Sequence, residues 1–375
     1  MVYLDYASHT PADEAVIEEF IRVERECRGN ALSSHRAGQV ARDELERATA
    51  GIAALLGVSP GEVIYTSGAS ESNNLAIKGL ARAYAHKGRH ILSTCLEHPS
   101  VSGALAYLGE SGYEIQLLKI LPDGTLDLKS LESALRTDTI LLVISASDSE
   151  LGAVQPIEAI SQILECYPNC RLHIDAAQAM GKIPVDVSLA DTLCFSPYKF
   201  YGLSGFGVLV KRQGVVLEPL IHGGSEKIGS SIYRGGTPSP ANAAACYKAL
   251  EIALREMDKR FEVVRGLRQY LLDKIKKCLQ VRINSPEGNP YILNLSVKGI
   301  KGTDFQAALN RLGVAVSVKS ACSIDNSPSR AVFAVTGDKK NALCSWRVSF
   351  SHLTTVEELD AFLSAFGEIC AKGSY

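Results

Sequence analysis

Short apolar runs alternate with longer amphipathic ones through the first two thirds of the chain. EVIY (62–65), HILST (90–94), EIQLLK (114–119), TILLVISA (139–146), RLHID (171–175) and DTLCFS (191–196) have the length of strands. FGVLVKR (206–212) begins the way out of this lobe. Between the runs lie the helix-compatible ESNNLAIKGLARAYAHKG, VSGALAYLGESG and QPIEAISQILECY. Strands that read as unbroken apolar runs are buried on both faces, and the intervening helices supply the cover. The pattern therefore predicts an α/β lobe on a mainly parallel sheet. Beyond Pro240 it changes. Residues 240–278 are almost continuously helix-compatible, long enough to join two lobes. YILNLSV, TDFQAALNRLG, VAVSV and RVSF follow, and a last helix is expected at TTVEELDAFLSAF, where Thr355 and Glu358 fit a capping box.

Composition narrows the function classes. A chain of 375 residues has room for two lobes with substantial cores. Lys plus Arg number 39 against 41 Asp plus Glu, a net charge of −2, so no whole-chain basic field invites nucleic acid. The longest apolar runs are strand-sized, too short to span a bilayer, and the first residues lack the blocks of a signal peptide. Ten scattered cysteines do not form a disulfide framework. Cys166 and Cys170 have no second pair at ligand spacing, so no metal site is expected. These features point to a cytoplasmic protein.

Three stretches carry candidate chemistry. TSGASESNN (66–74) lies between a strand and a helix; Gly68 permits a tight turn, the following amides suit a phosphate, and Ser70 adds a hydroxyl. Alone, it reads more readily as a simple N-capped helix, and it lacks the spacing of a nucleotide-binding loop. HIDAAQAMG places Asp175 at the C-terminal end of a strand, the edge where open α/β sheets bind ligands. A carboxylate there can pair with a protonated ring nitrogen or cap the next helix, and Gln178 can donate to a nearby oxygen. CFSPYKFYG (194–202) sets Lys199 among aromatics. Its stem can snorkel along them, or its amine can be desolvated into a nucleophile. An acid, a lysine and a phosphate loop on one sheet edge is what pyridoxal phosphate needs.

The chain resembles the class V aminotransferase-fold enzymes, and most of all the cysteine desulfurases of the NifS and IscS type. The resemblance rests on YLDYASHTP, SSHRAGQVARDELERA, TSGASESNNLAIKG, LEHPSV, HIDAAQAMGKIPVDV, SPYKFYGLSGFGVL, RGGTPSP, SACS and RVSFS, in the family's order. It implies a fold type I pyridoxal phosphate enzyme with a mainly parallel seven-stranded sheet in the large domain. A smaller α+β domain would form from both chain ends: 15–255 large, 1–14 and 256–375 small. It also implies a homodimer with sites at the interface. Lys199 would anchor the cofactor covalently and move the Cα proton. Asp175 would pair with the pyridinium nitrogen, Gln178 with the ring oxygen, and His98 would stack on the ring. Ala69, Ser70 and Ser196 would hold the phosphate, with Tyr198 beside it and Thr237 reaching in from the partner subunit. Arg347 and Ser149 would bind the substrate, Arg347 through its carboxylate. Cys322, in the SACS motif, would take sulfur from L-cysteine as a persulfide, release L-alanine and pass the sulfur to an acceptor protein. His98 is one candidate for favouring its thiolate.

The departures from the family pattern cluster in the expected pocket. Tyr198 stands where the family usually carries histidine before the lysine, and Asp148 and Ser149 replace a pair of asparagines. Asp148 would bring an extra carboxylate near the ring oxygen. ASHT replaces a small-residue run near the start, and a longer spacer precedes Arg234. These changes bear on substrate, and the alternative is a selenocysteine lyase or another divergent class V lyase or transaminase.

Overall fold

The structure is a computed structural model that describes residues 1–223, 232–285, 287–319 and 327–372. Cys322 lies outside the described residues. After a short opening strand, β1 (Val2–Tyr3), the apolar runs become β2 (Val63–Thr66), β3 (His90–Ser93), β4 (Glu114–Leu117), β5 (Thr139–Ser145), β6 (Arg171–Asp175), β7 (Thr192–Phe195) and β8 (Gly207–Lys211). These last seven form one sheet in the order β2-β8-β7-β6-β5-β3-β4. Only β8 runs against its neighbours; the other pairs are parallel.

Side chains alternate across this sheet, as strand geometry requires. Leu142 and Ile144 of β5 enter one apolar core, and Leu141 and Val143 enter the other. Helices cover both faces: α1 (Glu14–Glu26) and α2 (Arg36–Leu56) on the first, α3 (Ala69–Ala83) and α4 (Pro99–Glu110) on the second. α1 begins at Asp13, whose carboxylate accepts from the Ala15 amide, and buries Val16 and Val23 two turns apart. α2 ends at Gly57, whose φ of 67° is the left-handed conformation glycine adopts freely. Two shorter helices, α5 (Leu128–Ala134) and α6 (Ile157–Leu164), fill the remaining crossovers.

The long helical stretch after Pro240 is two helices. α7 (Pro240–Arg255) packs its alanine-rich face on α1 and α2. α8 (Met257–Ile275) starts after Glu256, whose ψ of 0° breaks the helix. The chain then builds β9 (Val281–Ile283), β10 (Ile292–Val297), α9 (Gly302–Arg311), β11 (Val314–Ala315), α10 (Arg330–Thr336), α11 (Lys339–Leu343), β12 (Ser345–Ser349) and α12 (Val356–Lys372). β12, β10 and β9 form an antiparallel sheet, while β1 pairs with β11. A third apolar cluster joins Leu4 to residues from Val264 onward. Its centre is Trp346, stacked on Phe305 with ring centroids 4.8 Å apart. The expected capping box is present: the Glu358 amide donates to Thr355 Oγ1 at 3.2 Å, and the Thr355 amide donates to Glu358 Oε2 at 3.0 Å.

Candidate active site

β2, β3, β5, β6 and β7 point the same way, so the loops after them meet at one edge of the sheet. There they enclose a cavity of about 220 Å³, lined by residues 67–71, His98, Ser145, Ser147, Ser149, Asp175, Gln178, Ser196, Tyr198 and Lys199 among others. The sequence-predicted Ala69, Ser70, Ser149, Asp175, Gln178, Ser196, Tyr198, Lys199 and His98 are thus brought together. Thr237 is exposed and does not line this cavity. Arg347 stands just behind its wall.

One end is an anion cradle. The Ala69 amide donates to Ser196 Oγ at 2.6 Å, tying the loop after β2 to the loop after β7. The amides of Ser70 and Glu71, in the first turn of α3, have no protein acceptor among the described residues. Exposed N–H groups at the positive end of a fifteen-residue helix favour a phosphate. Gly207 makes the approach possible: a Cβ there would lie 2.6 Å from Gly68 Cα.

The other end is a carboxylate held by a buried relay. Asp175 accepts from the Asn73 side-chain amide at 2.8 Å and from the Ala177 amide at 2.9 Å. With its nitrogen committed to Asp175, Asn73 turns its oxygen to His173 Nε2, 2.9 Å away, and His173 Nδ1 meets Thr192 Oγ1 at 2.9 Å. That pattern assigns the proton of His173 to Nε2. Burial pushes this imidazole down to about 4, so it is neutral. Asp175 therefore keeps one orientation toward the cavity.

Between the ends lies Lys199. Its Nζ donates to the carbonyls of Ala7 (2.7 Å) and Ser8 (2.8 Å) and sits 4.8 Å from the centroid of the Tyr198 ring. The opening segment is a strap over the site. Thr10 Oγ1 donates to the Tyr198 carbonyl at 2.8 Å, and Gln178 Nε2 donates to Ala7 O at 2.9 Å. The His9 ring stacks on Tyr198 with centroids 5.6 Å apart, placing an imidazole beside the tyrosine that departs from the family pattern. Tyr201, two residues past the lysine, has a φ of 70°, costly for a side chain of this size. The Thr10 hydroxyl, which accepts from its amide, and Ser351, bonded to its phenol, hold it there.

Gln178 is oriented from behind by Lys182, which donates to its Oε1 at 3.1 Å. Since Oε1 is engaged, the side-chain nitrogen must face Ala7 and the cavity, and one of its two hydrogens is left for a ligand. His98 is fixed as well. Its Nδ1 accepts from the Ser100 amide at 3.1 Å and lies 2.8 Å from Ser100 Oγ. The proton is thus on Nε2, and burial lowers the affinity of the ring for a second one. His98 faces the cavity with its Nε2–H.

Arg347 is 2% exposed. It donates to Ser149 O at 2.6 Å, to Ser8 Oγ at 2.8 Å and to Asp5 at 2.8 Å, while its Nε is buried without an acceptor. Asp148 does not approach the ring site. It turns away from the cavity, caps the amides of Glu150 and Leu151, and is protonated more readily than usual, pushed up to about 7 by burial and Glu150. Ser145, Ser147 and Ser149 face the cavity instead, at the two-residue period of the strand they extend.

Asn73, His173, Lys182 and Glu97 were not singled out by sequence reasoning. Glu97 is buried between Thr94 Oγ1 (2.7 Å) and Ser145 Oγ (2.6 Å), and burial pushes it up to about 8. All four do fall within quoted motifs: Asn73 in TSGASESNN, His173 and Lys182 in HIDAAQAMGKIPVDV, and Glu97 in LEHPSV. The cradle, the oriented acid and the amine between them match the phosphate, ring nitrogen and aldehyde of pyridoxal phosphate.

This arrangement defines a fold type I enzyme of the pyridoxal phosphate class. The profile of the family Aminotransferase class-V matches residues 2–362. Cysteine desulfurase IscS of Dictyoglomus turgidum is 38% identical over 377 residues, covering 99% of this chain and 95% of that one. A solved NifS-like protein superposes with a TM-score of 0.91 at 32% identity, over 99% of both chains. A structure of SspA in complex with cysteine superposes with a TM-score of 0.81 at 29% identity, covering 95% of this chain and all of that one. The chain belongs to the class V aminotransferase family, within its cysteine desulfurase branch, and is pyridoxal phosphate dependent.

Proposed function

We propose that the chain is a cysteine desulfurase that converts L-cysteine to L-alanine and carries the sulfur away on Cys322. The observation that supports it is the convergence of Lys199, Asp175 and the Ser70 cradle on one cavity, in a chain whose near-full-length relatives are named cysteine desulfurases. Bound there, pyridoxal phosphate would draw electrons from the substrate Cα, so that its proton can leave and the carbon–sulfur bond can break. Ala69, Ser70, Ser196 and Tyr198 would hold the phosphate, with Thr237 supplied by the partner of a homodimer. Asp175 and Gln178 would hold the two polar positions of the ring, and His98 would lie against its face. Lys199 would anchor the cofactor and shuttle the Cα proton.

Arg347 would take the substrate carboxylate, aided by Ser149. Its Nη2 is already engaged by Asp5, so the substrate competes with that carboxylate for the guanidinium. The Cys322 thiolate attacks the substrate sulfur. A sulfur–sulfur bond forms, the carbon–sulfur pair goes to carbon and is protonated, and alanine leaves. An acceptor protein then takes the persulfide sulfur, in a cytoplasmic route to iron–sulfur clusters or related cofactors. The division into a large lobe, 15–255, and a small lobe from both ends belongs to the same reading, supported by separate apolar cores. The test is to supply holoenzyme with L-cysteine and a reducing thiol and measure alanine and sulfide together. Both should form in equal amounts and both should vanish in Lys199→Ala. Alanine formed without dependence on Cys322 would instead indicate a lyase.

A further inference from the structure

A second cavity, of about 410 Å³, lies apart from this site where the start of α1, the α7–α8 junction and the segment after β12 meet. Asp13, Arg255, Glu256, Lys259, Arg260 and His352 supply its polar lining. Arg260 decides what it can hold. The residue is 8% exposed, yet among the described residues its guanidinium has no hydrogen-bond acceptor and no carboxylate at ion-pair distance. It rests instead on the face of Tyr201, 5.0 Å from the ring centroid.

The two acids in the lining each have a partner of their own. Asp13 accepts from the Ala15 amide at 3.0 Å, and Glu256 pairs with Arg255 at 3.1 Å. Their two negative charges meet three positive ones from Arg255, Lys259 and Arg260. Across the cleft His352 packs edge-on against Tyr201, and its Nδ1 is buried without a partner. The Arg260 side chain is largely covered, but none of its guanidinium nitrogens is among the buried polar atoms left without a partner, so the fork opens onto the cavity and its water. An anion with paired oxygens can replace that water and satisfy several of its five donors at once.

We propose that this cleft binds a small oxyanion, a phosphate or a carboxylate, on the Arg260 fork with the exposed Lys259 ammonium at the rim. Both anions present the paired oxygens that a guanidinium grips at two points. The test uses holoenzyme, so that the cradle at α3 is already filled. Inorganic phosphate and, separately, succinate are titrated by calorimetry into wild type, Arg260→Gln and Lys259→Gln, at constant ionic strength set with chloride. Saturable binding of one anion per chain is expected, and whichever of the two binds identifies the class. Arg260→Gln should weaken it by about tenfold or more and Lys259→Gln several-fold. The anion should raise the melting temperature of wild type and not of Arg260→Gln, which in chloride alone should melt no lower than wild type. Should Arg260→Gln not fold, the Lys259→Gln titration carries the test. No saturable binding of either anion at millimolar concentration, or binding that both substitutions leave unchanged, overturns the proposal.

Discussion

Lys182 should cost the folded protein stability at neutral pH, and replacing it with methionine should recover that stability. The side chain is 4% exposed. Its contacts are the Gln178 carbonyl at 3.1 Å and the Tyr291 ring, with the centroid at 5.9 Å. Burial first, then the charges of Lys199 and Arg347, push it from 10.5 to about 7. At about 1.4 kcal/mol per pKa unit, this corresponds to roughly 4–5 kcal/mol between the ammonium in the fold and in the unfolded chain. The sign follows from proton counting. Between pH 7 and 10.5 the unfolded chain holds the proton and the folded chain has released it, so stability rises with pH through that window. Lys182→Met removes this slope and loses a hydrogen bond worth about 1 kcal/mol, a net gain of a few kcal/mol near pH 7. Urea unfolding of both holoproteins at about pH 7 and about pH 10 measures it. The advantage of the variant should shrink as pH rises. An advantage that does not change with pH, or a variant less stable at both, would refute the reasoning.

Other changes should show distinct signatures. Glu97, raised by burial from 4.5 to about 8, contributes stability that is full below 4.5 and declines as pH rises toward 8. Glu97→Gln should flatten that decline in urea unfolding between about pH 5 and 8. Thr355→Ala removes one half of the capping box on α12 and should cost about 1 kcal/mol by thermal or urea unfolding. Asn73→Ala leaves His173 Nε2 without its acceptor and Asp175 without one donor, at about 1–3 kcal/mol for each buried group left unpaired. It should loosen the cofactor, read as the cofactor-to-protein ratio after dialysis; full retention would count against the relay.

The fold was legible where burial is total. β5 reads as seven consecutive buried residues, and RLHID became a strand with the bounds its pattern indicates. The position of Asp175 at the sheet edge was legible from the end of its strand, whereas the aromatics around Lys199 alone read as a snorkelling lysine, and only its company with Asp175 and the loop at 66–74 pointed it to the same cavity. The break at Glu256 was not, since no glycine or proline announces it and the two helices differ mainly in which core they serve. β9, three residues long, is defined by pairing with β10 rather than by pattern. The strap was hidden for a related reason: the carbonyls of Ala7 and Ser8 reach a lysine about 190 positions away, and no local propensity reports that contact. Asp148 shows a readable signal left unused. The period of two that places Ser145, Ser147 and Ser149 on the cavity also turns Asp148 away from it.

The central claim is that sulfur leaves cysteine and is held on Cys322. The direct measurement is the mass of the peptide containing Cys322 after holoenzyme reacts with L-cysteine in the absence of any reducing thiol, with alanine counted in the same sample. One added sulfur atom on that peptide, matched by one alanine per modified chain and absent in Lys199→Ala, is the predicted result. Alanine accumulating while Cys322 keeps its unmodified mass would contradict the account.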